Sequence, residues 1–206
     1  VRYEDTGEGM SDQQLRDEVM TMFLAGHETT ANTLSWTWYL LAEHSEVEEQ
    51  IHEELDRVLG GRRPTFEDLD QLDYTRMVID EVLRVYPPVW MTARQAVEDD
   101  VLGGYTIPAG SMLMLGFYFL HHNPDYWDAP GEFRPERFTE EANKARPRWV
   151  YLPFGGGPRV CIGQHFALME AQLALALLAQ KFRARLVPGR DVSMQLMGTL
   201  QPAGGL

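Results

Sequence analysis

Tyr151-Leu-Pro-Phe-Gly-Gly-Gly-Pro-Arg-Val-Cys-Ile-Gly163 carries the only cysteine of the 206-residue chain. A thiolate ligand needs its pKa lowered, its lone pairs oriented and room for whatever it binds. A helix beginning near Gly163 brings the positive end of its dipole to Cys161. The amides of Ile162 and Gly163 can donate to sulfur and tune its electron donation. Gly155, Gly156 and Gly157 let backbone approach a flat ligand closely and permit positive φ. Arg159 can pair with a carboxylate on that ligand, and Phe154 can shield the sulfur from water. A free cysteine is more often a small buried hydrophobe. The pattern Phe-x-x-Gly-x-Arg-x-Cys-x-Gly outweighs that reading, since five fixed residue types should coincide in about one of ten thousand chains this long. From these residues alone, Cys161 reads as an activated cysteine beside a flat or anionic ligand.

The rest of the chain is ordinary in bulk. An apolar fraction of 44% with 11% aromatics is that of a globular protein. The formal charge of -13 argues against non-specific nucleic-acid binding and for a soluble, cytoplasmic protein. One cysteine excludes an internal disulfide. The apolar run from Met112 to Leu120, broken by Gly116, is too short to span a bilayer.

Working outward, Ser11-Asp-Gln-Gln14 reads as a capping box. Apolar residues at helical spacing (Leu15, Val19, Met22, Phe23, Leu34, Trp38, Leu41) predict a helix to about His44, roughly 48 Å long. Further helices are expected at Ser45–Leu59, Pro64–Leu69, Asp73–Val85 and Gly163–Phe182. Glycine and proline punctuation predicts hairpins from Thr92 to Phe119 and short strands turning at Pro188-Gly189 in the tail. Asn123 to Trp149, with prolines at 124, 130, 135 and 147, reads as a loop-rich meander. The expected fold class is mainly α with a minor α+β component.

The cysteine loop resembles that of the cytochrome P-450 family, in which this cysteine ligates haem iron. The resemblance implies haem b (iron protoporphyrin) as cofactor and Cys161 as metal ligand. Arg159 and Arg94 would then meet the propionates, with Phe154, Gly155, Gly157 and Gly163 around the sulfur. It extends to Ala25-Gly-His-Glu-Thr-Thr30 in the long helix. There the small Ala25 and Gly26 let a cofactor press close, and Thr29 can bond the Ala25 carbonyl and loosen the helical ladder. The family assigns the pair Glu28 and Thr29 to proton delivery during oxygen activation. A back-bonded or solvated threonine pair is the plainer alternative. His27 reads as packing or a local hydrogen bond.

Glu81 and Arg84 share a helix face. The family pairs them with the arginine of Pro135-Glu-Arg-Phe138, so Glu81, Arg84 and Arg137 are expected to brace the meander. After Pro87-Pro88 the family places substrate contacts, here Val89, Trp90, Met91 and Thr92, joined by Met22, Phe23 and Ala25 and by 197–199. These are apolar or nearly so, and plain core is the alternative. Lys144, Arg146 and Arg148 read either as a docking patch for an acidic electron donor or as a solubilising cluster. His121 and His122 are not read as metal ligands, because neighbours in an extended segment point to opposite faces.

The expected function is a haem-thiolate monooxygenase that inserts one oxygen atom of O2 into an apolar organic substrate. Electrons would come from a ferredoxin, flavodoxin or flavoprotein reductase. The subgroup with the nearest overall pattern is that of soluble bacterial fatty-acid hydroxylases. The alternatives are a haem-thiolate peroxygenase or isomerase/dehydratase, and a non-catalytic haem-binding fragment. Residues 1–206 resemble only the C-terminal half of the family's single domain. The chain opens in mid-pattern at Val1, so it is expected to be an excerpt that needs its N-terminal half and is inactive alone.

Overall fold

A computed structural model describes residues 9–206, so the first eight residues of the expected 1–206 domain span lie outside it. Helix α1 (Asp12–Glu43) begins where the capping box predicts: Gln14 N–H donates to Ser11 Oγ at 3.2 Å and Ser11 N–H to Gln14 Oε1 at 2.9 Å. It behaves as two halves. Leu15, Val19, Met20, Met22, Phe23 and Leu24 are exposed, whereas Thr33, Trp36, Thr37, Leu40 and Leu41 are buried.

Helix α2 (Ser45–Leu59) stops at Gly60, whose left-handed backbone (φ 56°) suits glycine. Helix α3 (Asp73–Val85) begins on a carboxylate borrowed from α2. Glu54 accepts from the amides of Tyr74 (2.7 Å) and Thr75 (2.8 Å), placing negative charge at the helix's positive end. Pro87 and Pro88 follow its end at Tyr86, and neither could donate a helical N–H. Helix α3 packs against α1, α2 and the last long helix, α6 (Gln164–Ala179). Trp36, Ile51, Ile79, Val82, Leu175 and Ala176 are fully buried at this junction. Each large aliphatic or aromatic side chain there contributes about 1.5–3 kcal/mol through burial.

Three antiparallel ribbons complete the fold: β1 (Thr92–Gln95) with β4 (Met112–Leu115), β2 (Asp100–Leu102) with β3 (Tyr105–Ile107), and β5 (Met194–Leu196) with β6 (Leu200–Pro202). The long α1, the small sheets and a cysteine loop leading into α6 are as expected.

Several boundaries differ from the sequence reading, each for a tertiary reason. The helix expected at Pro64–Leu69 is a 3-10 segment at Phe66–Gln71, wound by an Asp68 carboxylate that accepts from Thr65 and Arg62. The β-type run ends at Leu115. Beyond it, α4 (Phe117–His121) is a short helix whose Tyr118 amide donates to Trp90 O at 3.1 Å. The meander contains a 3-10 turn at Pro135–Phe138 and helix α5 (Glu140–Ala145), which Thr139 caps. The tail's strands turn at 197–199 rather than at Pro188-Gly189, because β6 is held from outside. Leu200 N–H donates to Pro88 O at 2.9 Å, and Trp36 Nε1 donates to Leu200 O at 3.3 Å.

Candidate active site

A cavity of about 960 Å³ opens between the Ala25–Thr30 stretch of α1 and the cysteine loop. Ala25, Gly26, Thr29 and Met22 line one side. Cys161, Arg159, Phe154, Gly155 and Gly163 line the other, with Val89, Thr92 and Arg94 between them. Its walls are overwhelmingly apolar. Leu115, paired with Thr92 across the β1–β4 ribbon, and Phe117 also line it, as does Phe166 of α6. The lining therefore joins residues from four separate parts of the chain.

The loop's geometry follows from its glycines. Gly155 (φ 72°) and Gly157 (φ 69°) hold left-handed conformations that a side chain would strain. A Cβ on Gly156 would meet Trp149 Cζ3 at 2.9 Å, and one on Gly163 would sit 3.9 Å from Cys161 Sγ. Cys161 N–H donates to Phe154 O at 3.0 Å, which folds the loop back on itself and presents the exposed thiol. Among the described residues, the amides of Ile162 and Gly163 donate to no carbonyl, so both stay available beside the sulfur.

Two cations stand on the cavity without an anion among the described residues. Arg94 Nη1 donates only to Ala93 O (2.8 Å) and Thr92 Oγ1 (3.3 Å). Arg159 has neither hydrogen-bond nor ion-pair partner among the described residues. Both arginines are exposed. A ligand carrying carboxylates would satisfy both.

On α1, Thr29 Oγ1 donates to Ala25 O at 2.7 Å, so the expected back-bond exists. Thr33 and Thr37 repeat it, donating to Thr29 O (2.9 Å) and Thr33 O (2.8 Å). Glu28 does not line the cavity. It lies on the neighbouring face of α1 and accepts from Thr199 Oγ1. His27 is exposed and stacks on Phe23, with ring centroids 5.8 Å apart.

The expected substrate contacts divide. Val89, Thr92, Met22 and Ala25 are on the cavity, but Trp90, Met91, Phe23 and the 197–199 turn are not. Trp90 packs against the main core and donates from Nε1 to Met197 O at 3.1 Å. Gly157 also lies off the lining. Leu115 was legible only through its pairing with Thr92, and Phe166 through its spacing of three from Gly163.

Behind the loop is a dense bracing network. Arg84 donates from Nε and Nη2 to Glu81 (2.7 and 2.8 Å), and from Nη1 to His121 O (2.9 Å) and Pro130 O (2.8 Å). Arg137 Nε lies 3.3 Å from Glu81 Oε1, close enough to attract but not aligned as a hydrogen bond. The Arg134 amide also donates to Glu81, at 2.9 Å. His121 and His122 sit at the end of α4, not in an extended strand, which corrects the reason given against a metal there. His121 Nε2 accepts the Leu152 amide at 2.9 Å, tying α4 to the start of the cysteine loop. His122 Nδ1 lies 2.8 Å from Tyr118 O. Burial and the nearby Arg84 lower the His121 pKa to about 3.

The basic cluster also divides. Arg146 is half-buried among Trp127, Phe138 and Tyr151, with its guanidinium 4.4–5.6 Å from their ring centres. Lys144 pairs with Glu140. Arg148 lies 4.5 Å from the exposed Trp149 ring and pairs with no carboxylate among the described residues.

A cysteine loop faces the Ala25–Thr30 stretch of α1 across an apolar cavity and is braced by Glu81–Arg84–Arg137; the cytochrome P450 family model matches residues 2–205. The chain belongs to the cytochrome P-450 family. It is 46% identical over 189 residues to the cyclooctat-9-en-7-ol 5-monooxygenase of Streptomyces melanosporofaciens, covering 92% of this chain and 41% of the relative. Identity to the chloroplastic carotene epsilon-monooxygenase of Arabidopsis thaliana is 41% over 203 residues, covering 97% and 38%. Among solved structures, the cytochrome P450DA haem domain superposes with a TM-score of 0.91 at 39% identity, covering 97% of this chain and 45% of that one. This P-450 chain thus spans less than half the length of these relatives.

Haem is the cofactor of the P-450 family, and the residues present fit it. The cavity has the size and apolar walls for a flat macrocycle. The glycine cradle leaves no Cβ in its way, Cys161 offers a soft donor, and two unpaired arginines stand where carboxylates could be met.

Proposed function

We propose that the protein of which this chain is part is a haem-thiolate monooxygenase acting on an apolar organic substrate. The observation that carries this is the convergence of a free, exposed cysteine, two anion-less arginines and the Ala25–Thr30 stretch on one apolar cavity. Cys161 would hold the iron, and Arg94 and Arg159 would meet the propionates. Phe154, Gly155 and Gly163 would surround the sulfur, while Ala25 and Gly26 would face the macrocycle from the other side. Haem with a thiolate ligand supplies dioxygen activation, to which thiolate electron density contributes. Thr29 offers a hydroxyl on the cavity wall that can hold or pass a proton, with Glu28 as the nearby acid. Met22, Val89 and Thr92 would orient the substrate and exclude water.

Electrons come in this reading from a ferredoxin, flavodoxin or flavoprotein reductase. The exposed Arg148 is the cation of the basic cluster still available to dock it. The N-terminal half of the same protein would close the cavity, and the location would be cytoplasmic.

The test is the reduced, CO-bound spectrum of the full-length protein. A Soret band with the red shift of thiolate ligation, lost in Cys161→Ala, is expected; a band without that shift, or one indifferent to the substitution, overturns the assignment. Turnover driven by peroxide, needing neither dioxygen nor reductant, would make it a peroxygenase instead.

A further inference from the structure

The acid beside Thr29 points away from the cavity and is held there by a turn from the far end of the chain. Thr199 Oγ1 donates to Glu28 Oε1, and Asn32 Nδ2 donates to Thr199 Oγ1 at 3.1 Å. A hydroxyl has one proton and an ionised carboxylate can only accept. The proton of Thr199 is therefore committed to Glu28, and Asn32 must present its amide nitrogen. Glu28 and Asn32 are four residues apart on one face of α1, so Thr199 bridges one helical turn. Thr29 lies one residue round the helix, on the cavity.

The same turn is fastened to the substrate wall. Trp90 Nε1 donates to Met197 O at 3.1 Å, Leu200 N–H donates to Pro88 O at 2.9 Å, and Met197 N–H closes the turn on Thr199 O at 3.0 Å. Pro88 and Val89 line the cavity, so both ends of the turn are bonded to residues that flank Val89. At the tip of the turn, Met197 and Gly198 are exposed. Two hydrogen bonds therefore join the residues flanking Val89 to the turn that holds the acid.

We propose that Thr199 is a positioning residue for Glu28, and that the 197–199 turn is a clasp releasing the acid when substrate presses on the Pro88–Trp90 wall. Without substrate, Glu28 stays bonded to Thr199 and proton delivery at the Thr29 face is withheld. With substrate, the clasp loosens, and the exposed Glu28 carboxylate takes a proton from solvent and passes it toward the Thr29 hydroxyl. This inference rests on the monooxygenase reading for its consequence, but not for the mechanical link itself.

The test uses the full-length, haem-loaded protein with Thr199→Val, which keeps shape but removes the hydroxyl, and Thr199→Ser, which restores it. Lauric acid serves as the probe of the cavity. The first readout is amide hydrogen exchange over residues 196–200. In the wild type lauric acid should speed it, and in Thr199→Val exchange should be fast already, by about tenfold, as expected for loss of one charge-assisted bond. The second readout is the ratio of reductant consumed without lauric acid to that consumed with it. Thr199→Val should raise this ratio about tenfold, and Thr199→Ser should return it to the wild-type value. A purely structural role would lower both rates together and leave their ratio unchanged, which overturns the proposal. Exchange at 196–200 that ignores both lauric acid and Thr199→Val also overturns it. A protein lacking the thiolate Soret band would sink the monooxygenase reading, while the exchange measurement would still decide the link between turn and wall.

Discussion

The two sides of the cysteine loop are built on opposite principles. Behind it, Glu81 and Arg84 are 0% exposed and every polar atom of Arg84 has a partner in the helix, α4 or the meander. In front of it, α1 gives the cavity Met22, Ala25, Gly26 and Thr29, and among the described residues the Thr29 hydroxyl bonds only to its own helix. The back is over-determined and the front is under-determined. Buried charge tolerates only one arrangement, because any unpaired partner costs several kcal/mol. A cavity wall must admit a cofactor and a substrate, so it cannot be fastened in the same way.

The strongest way to break this contrast is to cut the back. Glu81→Ala would leave the buried Arg84 and the partly buried Arg137 without their carboxylate. A loss of about 3–5 kcal/mol is expected by denaturant unfolding, with a falling yield of haem-loaded protein.

Next in size is a pH effect confined to the same region. The folded pKa of His121, about 3, lies below its ordinary 6.5, because burial and Arg84 oppose its charging. The unfolded chain therefore takes up the proton first. The stability gained by keeping His121 neutral is full above pH 6.5 and falls as pH drops toward 3. The wild type should lose up to about 1.4 kcal/mol per pH unit over that window relative to His121→Asn. Parallel stability curves for the two proteins would refute this.

Two arginines two residues apart sharpen the contrast further. Arg146→Ala removes a cation from among three aromatic rings and should cost about 1–2 kcal/mol in thermal unfolding. Arg148→Glu should leave the midpoint within about 0.5 kcal/mol, yet slow reduction by an acidic donor, less so at high salt. Equal destabilisation by both would mean that Arg148 is also part of the brace.

The smallest effect on stability is expected at the front. Thr29→Val removes only a back-bond to Ala25, so unfolding should shift by less than about 1 kcal/mol. Product formed per reductant consumed should nevertheless fall. An unchanged yield would remove Thr29 from proton handling.

Much of this was legible in order along the chain. The capping box at Ser11, the stops at Gly60 and Pro87, and the cysteine loop all depend on neighbours a few residues away. Their elements appear within a residue or two of where local chemistry puts them. The errors fall where partners are distant. The 117–121 segment is rich in aromatics and looks extended, but the Trp90 carbonyl and the buried seat of His121 wind it into a helix. The tail turns at 197–199 because Pro88 and Trp36 hold β6 in place. Charges show the same limit. Lys144, Arg146 and Arg148 read alike in sequence, and only packing separates an exposed cation from one enclosed by rings.

The sequence by itself determined the family, the place of its one cysteine in the loop at Cys161, and the glycines around it, since these are set by residue type and short spacing. Tertiary structure decided which residues reach the cavity. It turned Trp90 against the core, bonded Glu28 to Thr199, and left Arg94 and Arg159 without anions among the described residues. Such outcomes depend on contacts between segments as far apart as Glu28 and Thr199, and local periodicity carries no information about what a helix face will meet.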